Sequence, residues 1–323
     1  MVAITRRAVL AGTAALTLSA RDRARAATPA AGLQAPGIYR YRLGSYELTA
    51  LNDGVWYFPV DDKFVHNAVY ADVKQAMADA FMPTATGTYA LPYTALLVNT
   101  GAKLVLIDTG TGGQIAETAG SLAANLAAAG VDPKAIDQIV ISHLHPDHIN
   151  GIKTKDDAVV FPNAEIAVPA PEWTFWMDES RLSGATDKLR IYLRNVRRIF
   201  GNIGDRVRRF EPGQEVAPGI TSIAAFGHTP GHTAFAVASG NQSMLVLSDT
   251  ANQPALFVRH PEWQIAFDMD GDMAVATRKR LLDRAAADRM LVQGYHFPFP
   301  ASGHVLRTAQ GYELVPVQWQ PQL

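Results

Sequence analysis

The chain has 323 residues, 48% hydrophobic and 18% charged, a balance that fits a globular protein and excludes a disordered or fibrous one. It contains no cysteine, so neither disulfides nor thiolate metal ligands are available. A formal net charge of −1 gives no long-range attraction for nucleic acid.

Residues 1–26 read as a signal peptide. Arg6-Arg7 precede the apolar run from Ala8 to Leu18, and Ala24-Arg25-Ala26 fits a small-x-small cleavage site. The run is too short for a stable membrane anchor. The paired arginines point to twin-arginine export, and hence to a periplasmic or secreted protein. Loss of this segment, with five Arg and one Asp, takes the net charge to about −5. Residues 27–36 are rich in Ala, Pro and Gly and read as a flexible lead-in, leaving 37–323 as a single domain.

Tyr39 to Val60 reads as strands with turns at Gly44-Ser45 and Asp53-Gly54. Val73 to Met82 is a modest helix, and Thr88 to Tyr93 an irregular stretch near the mouth of a site. Leu96–Asn99 and Lys103–Ile107 form a hairpin that ends on Asp108. Ile115 to Ala129 is an Ala-rich helix stopped by Gly130, with Leu122 and Leu126 one turn apart. A short buried strand, Gln138 to Ser142, follows.

That strand runs into His143-Leu144-His145-Pro146-Asp147-His148, the pattern H-x-H-x-D-H. Side chains at alternate positions leave a strand end on one side, so His143 and His145 converge. The chain then turns, and Asp147 and His148 point at a second centre. Imidazole and carboxylate together suit zinc and similar divalent ions. Asn150 follows beside these ligands.

Ala164 to Val168 is a further strand. Pro171 opens a helix, and Leu189, Leu193, Val196 and Phe200 form an apolar stripe at helical spacing. Arg190, Arg194, Arg197 and Arg198 lie off it as a solvated basic face. Three later stretches offer additional ligands. The loop Gly227–Thr233 carries His228 and His232, which compete for one role. The strand Ser243–Leu247 leads to Asp249. The strand Leu291–Gln293 delivers His296. Asp272 to Ala287 is a helix between the last two. His66 and His260 have no motif around them and read as surface or packing residues.

The combination of H-x-H-x-D-H, T-P-G-H-T, a strand-end Asp and a late His resembles the metallo-β-lactamase superfamily. The tail from His296 to His304, H-x-P-F-P-x-x-G-H, and the strand-D-T-G at Leu104–Gly110 are similar to its methyl parathion hydrolase-like branch, a neighbour of the N-acyl homoserine lactone lactonases. The likeness runs from about residue 37 to about residue 318. Asn150 departs from it, standing where the family usually has Gly.

The resemblance implies an α/β fold, the metallo-β-lactamase αββα sandwich, with two mixed β-sheets flanked by helices. It implies two divalent metal ions, Zn by default, with Mn, Co or Fe compatible. His143, His145 and His232 would hold one ion and Asp147, His148 and His296 the other, with Asp249 bridging. His228 would support the site without ligating, as would His304 and Asp108. A hydroxide between the ions would then attack a lactone or (organo)phosphate ester, with Asp147 and Asp249 catalytic. Trp176, Ile191 and Tyr192 would line the substrate pocket; their other reading is ordinary core.

The implied partner is a small-molecule ester or lactone, with no nucleic acid; a homodimer is compatible with the sequence. Asp249 and the lack of cysteine weigh against β-lactamases. Another exported hydrolase of the superfamily, acting on β-lactams or aryl esters, is the alternative. A metal-binding protein without catalysis is the third reading.

Overall fold

The structure is a computed structural model in which residues 31–83 and 87–323 are described. The signal peptide read at 1–26 and the start of the lead-in lie outside them. Strands β1 (Ile38–Leu43), β2 (Tyr46–Pro59), β3 (Thr88–Asn99), β4 (Leu104–Ile107), β5 (Gln138–Val140), β6 (Glu165–Pro169) and β7 (Val207–Phe210) form one seven-stranded sheet in chain order. A second seven-stranded sheet runs, also in chain order, through β8 (Glu215–Ala217), β9 (Ile220–Ala224), β10 (Thr233–Ser239), β11 (Gln242–Ser248), β12 (Leu291–Gly294), β13 (Ser302–Arg307) and β14 (Tyr312–Pro316). Both are mixed: β4 to β7 are parallel, as are β11 and β12, and the other pairs are antiparallel. Among the described residues the α-helices are α1 (Tyr70–Asp79), α2 (Leu122–Ala128), α3 (Pro146–Ile149), α4 (Ala170–Met177), α5 (Asp187–Phe200) and α6 (Gly271–Ala287).

Strand alternation builds the layers. Leu96, Val98, Val105, Ile107 and Val140 of the first sheet meet Phe235, Val237, Met244 and Val246 of the second in one core between the sheets. Their chain neighbours Ala95, Leu97, Leu106 and Ile139 point the other way, into a core shared with Met77, Leu126, Trp176 and Leu193 of the helices. Leu245 and Leu247 likewise turn from the inter-sheet core to Leu281, Leu282 and Ala285 of α6. Strands buried on both faces are near-continuous apolar runs, which is how the sequence writes them. The result is helix, sheet, sheet, helix, the expected αββα arrangement within residues 36–323.

Several local expectations are corrected. Asp53-Gly54 is not a turn: β2 continues through it, with a bulge against β3. Thr88 to Tyr93 is regular, the first half of β3. Pro92 sits there because β4 pairs only with Leu96–Asn99, leaving one side of this stretch outside the ladder. The helix expected from Ile115 begins only at Leu122. Gly112, Gly113 and Gly120 take positive φ, and Asp53 captures the N–H groups of Gly120, Ser121 and Leu122, holding a turn where a helix would start. Strands β7, β8, β13 and β14 and their pairings were not anticipated.

Candidate metal centre

The ends of β4, β5, β11 and β12 and the loop between β9 and β10 meet at one place. Two clusters of donor atoms form there, each within 4.8 Å: His143, His145 and His228; and Asp147, His148, Asp249 and His296. The strand-end argument for H-x-H-x-D-H is met. His143 and His145 share one cluster, and the one-turn helix α3, with Pro146 in its first turn, carries Asp147 and His148 into the other.

The loop Gly227–Thr233 brings His228 into a donor cluster and His232 to its edge. His232 Nδ1 donates to the Ala225 carbonyl at 2.8 Å, and its Nε2 accepts the Asp249 backbone N–H at 3.1 Å. Both ring nitrogens of His232 are thus engaged by backbone groups. His228 donates through Nδ1 to Asp268 Oδ1 at 2.9 Å and turns Nε2 inward. That atom lies 3.0 Å from His145 Nδ1 and 3.3 Å from Asp249 Oδ2. His232 meets the Asp249 backbone, and His228 lies in the donor cluster.

His148 and His296 are oriented by partners outside the clusters. His148 Nδ1 faces Asp108 Oδ2 at 2.8 Å, and Asp108 also accepts the Ser142 N–H and hydroxyl. Asp108 thus holds the ligand loop, as expected. His296 Nδ1 donates to the Pro92 carbonyl at 2.9 Å, a use for the carbonyl on the one-sided stretch of β3. Tyr295 donates its hydroxyl to the Asp147 carbonyl at 2.6 Å. Asp249 touches both clusters: Oδ2 is 2.9 Å from His296 Nε2 and 3.3 Å from His228 Nε2, while Oδ1 is 3.3 Å from His148 Nε2.

The electrostatics ask for positive charge. Burial, together with neighbouring imidazoles, holds His143 and His145 well below the ordinary histidine range, and burial brings His232 down to about 3. For His148, burial is outweighed by Asp147, Asp249 and Asp108, which raise it well above 6.5. For Asp249, burial is outweighed by His296 and His148, which keep the carboxylate ionised far below its usual range. Buried His143 Nε2, His148 Nε2 and Asp249 Oδ1 make no hydrogen bond. Unpaired buried polar atoms are costly, and three of them converging with this donor set fit divalent cations.

The centre lies on the floor of a cavity of about 570 Å³. Trp176, Ile191 and Tyr192 all line it. Trp176 is fully buried in the wall, whereas Ile191 is 64% exposed at the rim, and the Tyr192 ring lies 5.4 Å from that of His145. Trp56, Leu91, Phe267 and Met269 make the rest of the wall largely apolar. Asn150, the departure in the ligand motif, is buried and accepts a 2.7 Å hydrogen bond from Asn195 of α5, tying the ligand loop to the helix that carries Ile191 and Tyr192.

His304 joins neither cluster; it is exposed and its Nδ1 meets the Arg289 carbonyl at 3.2 Å. His66 is exposed, and His260 stacks on Trp263.

Three residues of the site went unnoticed in the sequence. Asp268 orients His228. Arg278 of α6, buried, pairs with Asp268 at 3.3 Å and donates to the Thr250 carbonyl beside Asp249. Glu172 is buried between the two ligand loops. A lone charge inside the apolar run Pro171–Trp176 is a visible signal for Glu172. Nothing local marks the other two.

A family model described as the metallo-beta-lactamase superfamily matches residues 88–296, more than half of the chain. Comparison with curated protein sequences found no match. Among solved structures, AidC, described as a dizinc quorum-quenching lactonase in complex with a product, N-hexanoyl-L-homoserine, is 29% identical with a TM-score of 0.82, covering 88% of this chain and 99% of its own. The hydrolase AbOPH, described as in the beta lactamase superfamily, is 28% identical with a TM-score of 0.83, covering 89% of this chain and 100% of its own. A variant of AiiA from B. thuringiensis, at 18% identity and a TM-score of 0.56 over 81% of this chain and 100% of its own, shares the fold. Two seven-stranded mixed sheets between helices, a converging His/Asp donor set and the family match agree, so the chain belongs to the metallo-beta-lactamase superfamily and is a metal-dependent hydrolase.

Proposed function

We propose that the protein is a binuclear hydrolase that opens lactones bearing an apolar arm, with N-acyl homoserine lactones as the leading substrates. One observation carries this reading: two donor clusters share Asp249 on the floor of an apolar-walled cavity. In this assignment His143, His145 and His228 hold one ion, Asp147, His148 and His296 the other, and Asp249 both. Bound divalent ions supply Lewis acidity and make coordinated water acidic enough to ionise near neutral pH.

The chain's own groups do the rest. Asp249, ionised and buried, fixes the spacing of the two clusters. The Asp147 side chain is 16% exposed against 4% for Asp249, so Asp147 faces the cavity more openly. That makes it the group to carry the proton released by the attacking water to the leaving ring oxygen as the acyl C–O bond breaks. The Tyr192 hydroxyl, pushed up to about 12 by burial and then by the charge of Asp147, stays a neutral donor for a substrate oxygen. Leu91, Phe267 and Met269 accept the apolar arm.

The similarity to AidC supports a lactone. The similarity to AbOPH keeps a phosphotriester as the second reading, because the same site serves either centre. The test is elemental analysis of the purified protein with a panel of N-acyl lactones, aryl phosphotriesters and β-lactams. About two ions per chain and preferred lactone turnover are expected. One ion or fewer at full activity overturns the binuclear reading, and turnover of phosphotriesters alone moves the assignment to the second. Export remains a proposal from residues 1–26; N-terminal sequencing of the protein from its native compartment should begin after Ala26.

A further inference from the structure

Glu172 is a fully buried carboxylate that belongs to neither donor cluster. It accepts four hydrogen bonds from three parts of the chain. Oε2 takes the Leu144 N–H at 3.0 Å and the Trp176 indole N–H at 2.6 Å; Oε1 takes the Thr229 hydroxyl at 2.5 Å and the Gly231 N–H at 2.7 Å. Leu144 lies between His143 and His145 in the chain, and Thr229 follows His228. Each loop is therefore gripped next to its ligand. Gly231 approaches so closely that a Cβ there would overlap the backbone of Pro171 and Glu172. Beyond this carboxylate, a backbone bond from Thr233 N–H to the Ser142 carbonyl also joins the loops.

We infer that Glu172 is the positioning residue of the first donor cluster, clamping the loop of His143 and His145 and the loop of His228 and His232 to each other and to the cavity wall at Trp176. The inference rests on the assignment of that cluster to one ion. Bringing the His145 and His228 nitrogens to 3.0 Å requires the loops to hold a fixed offset, and four donors on one carboxylate supply it. The other cluster is oriented by different groups: His148 by Asp108 and His296 by the Pro92 carbonyl. Damage at Glu172 should therefore fall on one ion only.

Glu172→Gln keeps the shape. Whichever end the new amide NH₂ takes, it faces two donors and forfeits that pair of bonds. Metal affinity is measured by chelator competition with zinc, on the unmodified protein and on the variant. The expected result is one ion held as before and the other weakened about 10–100-fold, the usual range for groups supporting a ligand. Thr229→Val removes a single bond and should weaken the same ion less, while Thr229→Ser should restore it; this pair carries the test if Glu172→Gln does not fold. Unchanged affinities, or equal loosening of both ions, overturn the inference. An unmodified protein that binds only one ion overturns the binuclear assignment itself.

Discussion

His228 and His232 stand four residues apart in one loop, and their hydrogen bonds divide the labour between them. On the proposed assignment, His228→Ala should remove about one ion per chain and cut turnover by orders of magnitude, because it deletes a nitrogen of the donor cluster. His232→Ala removes the acceptor for the Asp249 N–H and should cost about 10–100-fold, the scale of a supporting group. Metal content and kcat/KM of both variants check this ranking, and the opposite order would return the ligand role to His232. The pattern T-P-G-H-T points to His232, whereas the donor cluster contains His228. Sequence spacing records which residues share a loop, whereas the direction of each ring depends on where Ala225, Asp249 and Asp268 arrive from distant elements.

At the scale of elements, the centre depends on how loops are tied to what surrounds them. Gly151 closes α3 against the loop after β4, where a Cβ would overlap the Thr109 carbonyl oxygen. Gly151→Ala should destabilise the fold by about 1–3 kcal/mol, read from a denaturant midpoint, because the overlap falls on backbone that cannot rotate away. The tie between Asn150 and Asn195 acts differently. It fastens α5, with its cavity residues Ile191 and Tyr192, to the ligand loop. Asn195→Ala should raise KM for a bulky substrate several-fold while metal content stays the same; loss of an ion would mean that the tie serves the ligands instead of the wall. Leu193, Val196 and Phe200 of α5 are buried, as the apolar stripe at helical spacing anticipates. The helix expected from Ile115 starts late because Gly120, Ser121 and Leu122 are held by Asp53, an acceptor from a strand that local periodicity does not register.

For the whole molecule, folding concentrates negative charge around His148 and His228. Without metal, both are pushed above 6.5: burial is the largest effect and opposes this, but Asp147, Asp249 and Asp108 together outweigh it for His148, and Asp268 with Asp249 together outweigh it for His228. A raised folded pKa means these imidazoles still carry protons at pH 6.5, and a metal ion must displace them. Affinity should therefore rise with pH through and above 6.5, and binding at neutral pH should release protons. Titration calorimetry in buffers of different ionisation enthalpy checks this; binding without proton release would contradict the charge balance. Metal removal should also lower the melting temperature, since an ion that binds only the folded chain stabilises it by mass action.

The sequence by itself determined the family, the αββα layering and the motifs that carry the donor residues. Apolar runs alternate sides in strands, and H-x-H-x-D-H puts donors of one chemistry in one short loop, so both signals are local. The tertiary structure decided what local spacing does not encode. It turned the rings of His228 and His232 to different partners, brought Asp268 and Arg278 to the site from other elements, and placed Glu172 between loops more than 80 residues apart. Those contacts come from chain segments meeting after the two sheets have stacked, and a hydrogen bond between them leaves no periodic trace in the sequence.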